Sequence, residues 1–561
     1  MRLLLIRLSQ MPLQLFSWRN ESSPQDQPTA NAFKNSIRSA LIWACGVLMK
    51  PKSFGSGSRM TYPRSIFSLW LISQALAFHA LNAVEPLQVN GRNIMTANGQ
   101  VMSMRGMNFG GWLMMETWIP SLEMEWHDHL PRLAQEAGLL DAYMSALEAV
   151  GEFMPDEDDQ GRFTPMAYTH LEYINKVHAK LKSMVPAGDY ERYIALYEKE
   201  PSVFAARDMV ELLTQRFGEG GNARFWNAFH DQWITERDFQ LAKAHGFNFV
   251  RIPFWYHWFE SDDRPYHYHD YGFSYLDKAI AWAERHDLYV MLDFHGAPGG
   301  QSPWDHTGAL SEIGFFTSPE NQRRTASLWK AIAQRYSDQP VVWAYDLLNE
   351  PFSARNTKEW ARAHDTLYDA IREVDPETII VMEDGYKLEF EPWSQDGFFP
   401  QPKVMQWEQI VYSLHFYSGA DPLFSDEKGL ADHIKRSKEV LRLAKMVQER
   451  HQVPVYFGEF STMGNHANDI EGMRHFLTLF NQKGYHWSPW TWKYVDDDQE
   501  GTIWGLYQFN RPWPRTPNIH RDSLESLLEL VSLLHMDHFS VQKPYAKVLQ
   551  ECLAQPIQAA W

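Results

Sequence analysis

Cysteine is nearly absent. Only Cys45 and Cys552 occur in 561 residues, so no disulfide framework holds the fold. A zinc site built on clustered cysteines is excluded by the same count. Positive charge is also short: 52 Lys and Arg stand against 70 Asp and Glu, for a formal net charge of −18. A surface of that sign repels nucleic acid and anionic membranes and leaves neutral polymers open as partners. The apolar run from Ile66 to Ala77 is too short, and too broken by Ser and Gln, to span a bilayer. No stable membrane span is therefore expected in the mature protein.

What is present suits a globular chain with a large core: 44% hydrophobic and 22% charged residues. The 23 Trp and 24 Tyr mostly fill that core, but some are expected to serve as flat platforms for pyranose rings. Residues 60–83 read as a secretory signal: a basic start at Arg64, the apolar run, then small residues at Ala75 and Ala77 with a second option at Ala83. On this reading Met60 is the true start, residues 1–59 are an over-extended reading frame, and residues 84–561 form a catalytic domain that is secreted or periplasmic. Finding residues upstream of Met60 in the exported protein would overturn it.

Asn90-Gly91 and Asn98-Gly99 lie between short alternating runs in 87–104 and predict a hairpin. A strand then runs into the Gly-rich stretch Asn108–Trp112. Residues 121–229 depart from the pattern. Helical periodicity over Leu139–Val150, Tyr168–Leu181 and Ala206–Phe217 marks a mostly helical insertion after the first strand. From Thr235 onward helix and strand alternate. Strands are predicted over Phe247–Ile252, Leu288–Phe294, Val342–Leu348, Thr378–Glu383, Ile410–His415, Val455–Gly458 and His486–Thr491. With the strand before Asn108 this makes eight, which predicts an α/β fold, a (β/α)8 TIM barrel with an N-terminal β-hairpin. Arg251, His295, Asn349, Glu350, His415, Glu459 and Trp492 all fall at strand ends, the catalytic face of that fold.

Two stretches carry the chemistry. Val342–Pro351 delivers Glu350, and Pro454–Ser461 delivers Glu459, each after a buried strand. Pro351 is expected to hold Glu350 extended. Two carboxylates at strand ends suit cleavage of a glycosidic bond by double displacement, one as acid/base and the other as nucleophile. Arg251 and Tyr417 can stabilise the ionised partner, which favours Glu459 as nucleophile and Glu350 as the acid that stays protonated. A single strand-end Glu would most simply be an ion pair; the pair with its companions is not explained that way. Asp293, His295 and His415 invite a metal reading, but none of them stands in a His-x-His or His-Glu-x-x-His spacing. No metal or cofactor is expected. A non-catalytic carbohydrate-binding barrel could keep Trp112 and Trp492 but has no need of both glutamates.

Asn349-Glu350-Pro351 and Gly458-Glu459-Phe460-Ser461 are similar to the acid/base and nucleophile motifs of glycoside hydrolase family 5. Arg105–Trp112, Val250–Pro253, His295–Gly299 and Trp490–Lys493 resemble its exo-β-1,3-glucanase branch. The resemblance covers about 87–110 and 230–510. It implies Arg251 and His295 in the site wall and Asn349 on the substrate 2-hydroxyl. It also implies His415 and Tyr417 near the nucleophile, and Trp492 under the sugar at the cleavage point. The implied substrate is a polysaccharide or oligosaccharide with β-D-glucosidic bonds, β-1,3- or β-1,4-linked. β-Mannan and β-linked glycolipid are the alternatives. The insertion emerges on the catalytic face, and its apolar stripe Leu171, Ile174, Val177, Leu181 is expected to pack on the cleft rim. That would leave a pocket suited to chain ends.

Overall fold

The computed structural model describes residues 84–122, 126–151, 170–384, 398–417, 427–462, 467–495 and 504–556. The signal reading of residues 60–83 falls outside them. Every described residue belongs to the compact unit His79–Trp561.

The two Asn-Gly turns do make an antiparallel sheet of β1 (Leu87–Asn90), β2 (Asn93–Thr96) and β3 (Val101–Met102), with Gly91 and Gly99 in the left-handed conformation the turns require. Eight parallel strands follow. They are β4 (Gly106–Asn108), β5 (Phe249–Trp255), β6 (Tyr289–Gly296), β7 (Val342–Asp346), β8 (Ile379–Glu383), β9 (Ile410–Tyr417), β10 (Val455–Ser461) and β11 (His486–Trp487), neighbours in chain order. Arg105 bridges in parallel to Trp487, and the Trp487 N–H donates to the Met104 carbonyl at 2.9 Å, so the last strand meets the first. The chain is a (β/α)8 barrel. Apart from Tyr417, every residue of β5 to β10 is buried. Burial on both faces is why these strands read as continuous apolar runs rather than alternating ones.

The two ends of the barrel differ in chemistry. Met104, Phe249, Met291, Trp343, Ile379, Val381, Val411 and Tyr456 fill the lower interior, capped by Leu87 and Ile94 of the hairpin. The polar side chains gather above this plug, at the carboxyl ends of the strands. Helix boundaries follow local chemistry. The helix Glu236–His245 starts with Thr235, whose N–H and hydroxyl both donate to Asp238 Oδ2, and stops at left-handed Gly246.

The insertion comprises α1 (Trp126–Glu136), α2 (Leu140–Val150), α3 (His170–Met184), α4 (Ala187–Lys199) and α5 (Ala206–Trp233). The helix at 206 does not end at Phe217 but continues past a kink at Gly218, where φ is +69°. The expected packing of the apolar stripe needs correction. Ile174, Val177 and Leu181 are buried against Leu130, Leu133, Tyr143 and Tyr193, in a core made by the insertion's own helices. Amphipathic periodicity says that a face must be covered, not by what. α1 to α4 satisfy one another. Their polar ties to the rest run mainly to 520–521: Arg521 pairs with Glu136 and Glu200, each at 2.8 Å, and His520 Nε2 donates to the Pro201 carbonyl at 2.8 Å.

Candidate active site

Arg251, fully buried at the middle of β5, organises the catalytic face. Its Nε donates to Asp346 Oδ2 at 2.9 Å. Its Nη1 donates to Glu459 Oε1 at 2.7 Å and Asn108 Oδ1 at 3.1 Å. Its Nη2 reaches Asn349 Oδ1 at 2.8 Å, Glu383 Oε1 at 2.9 Å and Asp293 Oδ2 at 3.1 Å. One planar fork thus fixes side chains from five strands or their ends, a task for which a lysine has too few donors. Burial lowers the pKa of the guanidinium, but Asp293, Asp346, Glu383 and Glu459 outweigh burial and hold it charged. The same crowding leaves the acids short of positive charge: burial pushes Asp293 up to about 8 and Asp346 well above its usual range.

Glu459 lies within β10, where Gly458 lets the strand shift register against β9. A Cβ on Gly458 would stand 2.7 Å from His415 Nε2, so only glycine allows this approach. Glu459 accepts from Arg251 and from the Tyr417 hydroxyl at 2.8 Å. Glu350 lies four residues past the end of β7. It is not extended, as the following proline suggested, but has φ +41°. Its N–H is held by Glu383 Oε2 at 2.7 Å, which fixes a backbone conformation that few non-glycine residues adopt.

His415 stands between the acids. Its Nδ1 is 2.8 Å from Glu350 Oε1 and 3.6 Å from Glu459 Oε2, and its Nε2 is 3.2 Å from Glu383 Oε1. Donor atoms of Glu350, His415 and Glu459 all lie within 4.8 Å of one another. These are also the described residues best placed to hold a cation, though all three already have partners. One oxygen of Glu350 and one of Glu459 thus lie within 4.8 Å of each other.

The electrostatics differ from the sequence expectation. Burial pushes Glu350 up, but His306 and His415 outweigh it, and its pKa lies below the usual value. Burial and the nearby Glu350 raise Glu459 in spite of His415 and Arg251. Burial opposes charge on His415, yet Glu383, Glu459 and Glu350 keep it protonated to well above the ordinary histidine range. Glu350 therefore rests as an anion with the proton 2.8 Å away on His415. Sequence reasoning counted Arg251 and Tyr417 but assigned no role to Glu383, which helps keep the proton on His415, or to His306, which lowers Glu350.

Of the eight residues expected at the site, Arg251, His295, Asn349, Glu350, His415, Tyr417 and Glu459 come together. His295 donates from Nδ1 to Asp293 at 2.6 Å and lies parallel to the Trp490 ring at 5.7 Å. Trp492 is not among them. It is fully buried on the outer side of the barrel, packed on Phe109 and Tyr507, with its indole N–H donating to Asp238 Oδ1 of the outer helix at 2.8 Å. The predicted last strand stops at Trp487, before Pro489, and Trp490 takes the position facing His295. Two tryptophans two residues apart gave no sequence signal to choose between them.

Residues 214–496, just over half of the chain, match the family Cellulase (glycosyl hydrolase family 5). Among curated relatives, a "Beta-xylosidase" of Phanerodontia chrysosporium is 27% identical over 49% of this chain and 60% of its own length. A "Probable glucan 1,3-beta-glucosidase A" of Aspergillus fumigatus is 32% identical over 43% of this chain and 53% of its own. The chain thus spans little more than half the length of these relatives. "Endoglucanase C" of Acetivibrio thermocellus is 25% identical over 47% of this chain and 86% of its own length. A solved endoglucanase from Thermotoga maritima aligns with 21% identity over 53% of this chain and 90% of that one, TM-score 0.38. On the family match, which contains Arg251, both glutamates and the residues around them, the chain belongs to glycosyl hydrolase family 5.

Proposed function

We propose that this protein is a retaining glycoside hydrolase acting on β-D-glucosidic bonds of β-glucans, with Glu459 as nucleophile and Glu350 as acid/base. The observation that carries the proposal is the pair itself: two buried carboxylates with an oxygen of each within 4.8 Å of the other, joined through His415, at the catalytic end of a barrel. Glu459 attacks the anomeric carbon. The proton for the leaving oxygen comes through Glu350, replenished from His415 Nδ1. Once Glu459 is esterified its charge is gone, His415 loses one of its anions, and Glu350 is free to take a proton from water in the second step. The curated relatives named for glucan 1,3-β-glucosidase and endoglucanase activity favour glucan.

Action on chain ends is part of the proposal, now resting on a different feature. Glu116, on the segment leaving β4, is buried, and its Oε1 has no hydrogen-bond partner among the described residues. Burial pushes it well above the carboxylate range, and the nearby charges of Asp305, Glu459 and Glu350 add to the effect. Acidic groups left open beside the nucleophile suit the free hydroxyls of a terminal sugar better than a continuing chain.

The first-formed product, followed by NMR before mutarotation, should carry the β anomer. Initial α anomer would refute the retaining pair. Slow viscosity loss relative to new reducing ends on a soluble β-glucan is expected for chain-end cleavage. A steep early fall would refute that part alone.

A further inference from the structure

His306 lies in the loop between β6 and the helix Pro319–Tyr336, within the single turn Asp305–Thr307. Nothing in its surroundings, Trp304-Asp305-His306-Thr307-Gly308, marks it as functional by sequence. In the structure it is buried and its Nε2 lies 3.2 Å from Glu350 Oε2. His415 occupies the other oxygen, Oε1. The two oxygens of the acid/base carboxyl thus each meet a different imidazole.

The seat of the His306 ring follows from its neighbours. Asn349 Oδ1 accepts from Arg251 at 2.8 Å, so the Asn349 amide turns its Nδ2 donors the other way. Those donors face His306 Nδ1 at 3.3 Å and His295 Nε2 at 3.4 Å. Nδ1 of His306 faces the Asn349 amide, and Nε2 hydrogen-bonds Ser302 Oγ at 3.2 Å and lies in ion-pair reach of Glu350 Oε2 at the same distance. A continuous series runs from Arg251 through Asn349 and His306 to Glu350.

The loop is seated firmly enough for this to set an orientation. A Cβ on Gly296 would lie 2.3 Å from the Thr307 carbonyl oxygen, and one on Gly308 2.6 Å from Trp255. The Gly308 carbonyl accepts the Arg207 N–H from α5 at 3.0 Å, and Arg207 Nη1 pairs with Glu312 at 2.5 Å.

We infer that His306 is a positioning residue for Glu350. Seated by Ser302 and Asn349, its ring edge stands against Oε2 and fixes the plane of the carboxyl, so that the proton shared with His415 on Oε1 is presented to the leaving oxygen. Without it the carboxyl can turn about its contact with His415. Proton donation then suffers, and attack by Glu459 does not. The inference rests on the reading of Glu350 as the acid.

The test compares the full chain with Glu350→Gln, His306→Ala, His306→Asn and His306→Gln on aryl β-glucosides from poor to highly activated leaving groups, reading kcat/KM. Loss of the imidazole contact that orients the carboxyl predicts a fall on the order of tenfold for His306→Ala on poor leaving groups, shrinking toward wild type on activated ones. His306→Gln, long enough to place an N–H near Oε2, should recover much of the loss, and the shorter His306→Asn should not. Should His306→Ala fail to fold, the Asn and Gln variants make the same comparison. A loss of equal size on every leaving group, or none, overturns the inference. Glu350→Gln keeps the two claims apart. If it shows the leaving-group dependence and the His306 variants do not, only the positioning role falls. If Glu350→Gln shows none either, the acid assignment itself has failed.

Discussion

Trp492 and Trp490 offer a test that separates fold from site. Trp492→Phe removes the indole N–H that donates to buried Asp238 at 2.8 Å. Asp238 keeps its bonds from Thr235 and a longer contact with Lys493 at 3.7 Å. Losing one hydrogen bond to a buried charged group costs about 1.5–3 kcal/mol. The smaller ring leaves space between Phe109 and Tyr507 that adds roughly 1 kcal/mol. The sum, about 2.5–4 kcal/mol, should lower the denaturation midpoint measurably. kcat/KM on an aryl β-glucoside, taken well below the transition, should stay within about twofold, because the Trp492 ring packs on Phe109, His245 and Tyr507 and not on the catalytic groups. Trp490→Phe should do the reverse: a small change in stability and a clear loss of kcat/KM. If Trp492→Phe lost activity at unchanged stability, the placement of the two rings would be wrong.

Three other outcomes are expected. The pH profile of kcat/KM should be bell-shaped. Glu459 must be ionised and its pKa is raised, so the acid limb lies above 4.5, the ordinary Glu value; the proton on the His415–Glu350 pair must be kept, and His415 is raised, so the basic limb lies above the ordinary histidine value of 6.5. A basic limb below 6.5 would refute this protonation scheme. Glu383→Gln keeps shape but removes the largest charge holding the proton on His415, and its amide cannot accept from Glu350, Arg251 and His415 together. kcat should fall between about tenfold and a hundredfold and the basic limb should move to lower pH; a limb that stays put would show that Glu383 does not act on His415. Arg521→Ala breaks half-exposed pairs with Glu136 and Glu200 that are worth about 1 kcal/mol or less each. It should leave hydrolysis of a small aryl glucoside within about twofold, whereas a loss above about tenfold would mean that the helices of the insertion shape the site after all.

The barrel was legible because its signals are local. Each buried strand is a β-branched or aromatic run ended by Gly, Pro or a polar residue, and the helix Pro319–Tyr336 likewise starts on a local signal, Ser318 capping the Asn321 N–H with Pro319 behind it. Arg251, Glu350 and Glu459 were legible because charged groups inside or shortly after an apolar strand run have one simple reading on this fold. Glu383 also ends a strand, yet its role depends on three partners from other strands, which no local pattern shows. His306 was hidden in a loop of small and turn-forming residues. The self-contained core of α1 to α4 was missed because an apolar stripe does not name the surface that covers it. The left-handed Glu350 was missed because a hydrogen bond from 33 residues away sets its backbone.

The central claim is that Glu459 forms a covalent bond to the sugar. Incubating the enzyme with an activated 2-deoxy-2-fluoro-β-glucoside slows both steps and lets the ester accumulate. Digestion and mass spectrometry should then place a single fluoroglucosyl group on Glu459, and Glu459→Ala should take up none. A label on Glu350 or Glu383, or an unlabelled enzyme that still releases the aryl group in stoichiometric excess, would contradict the account.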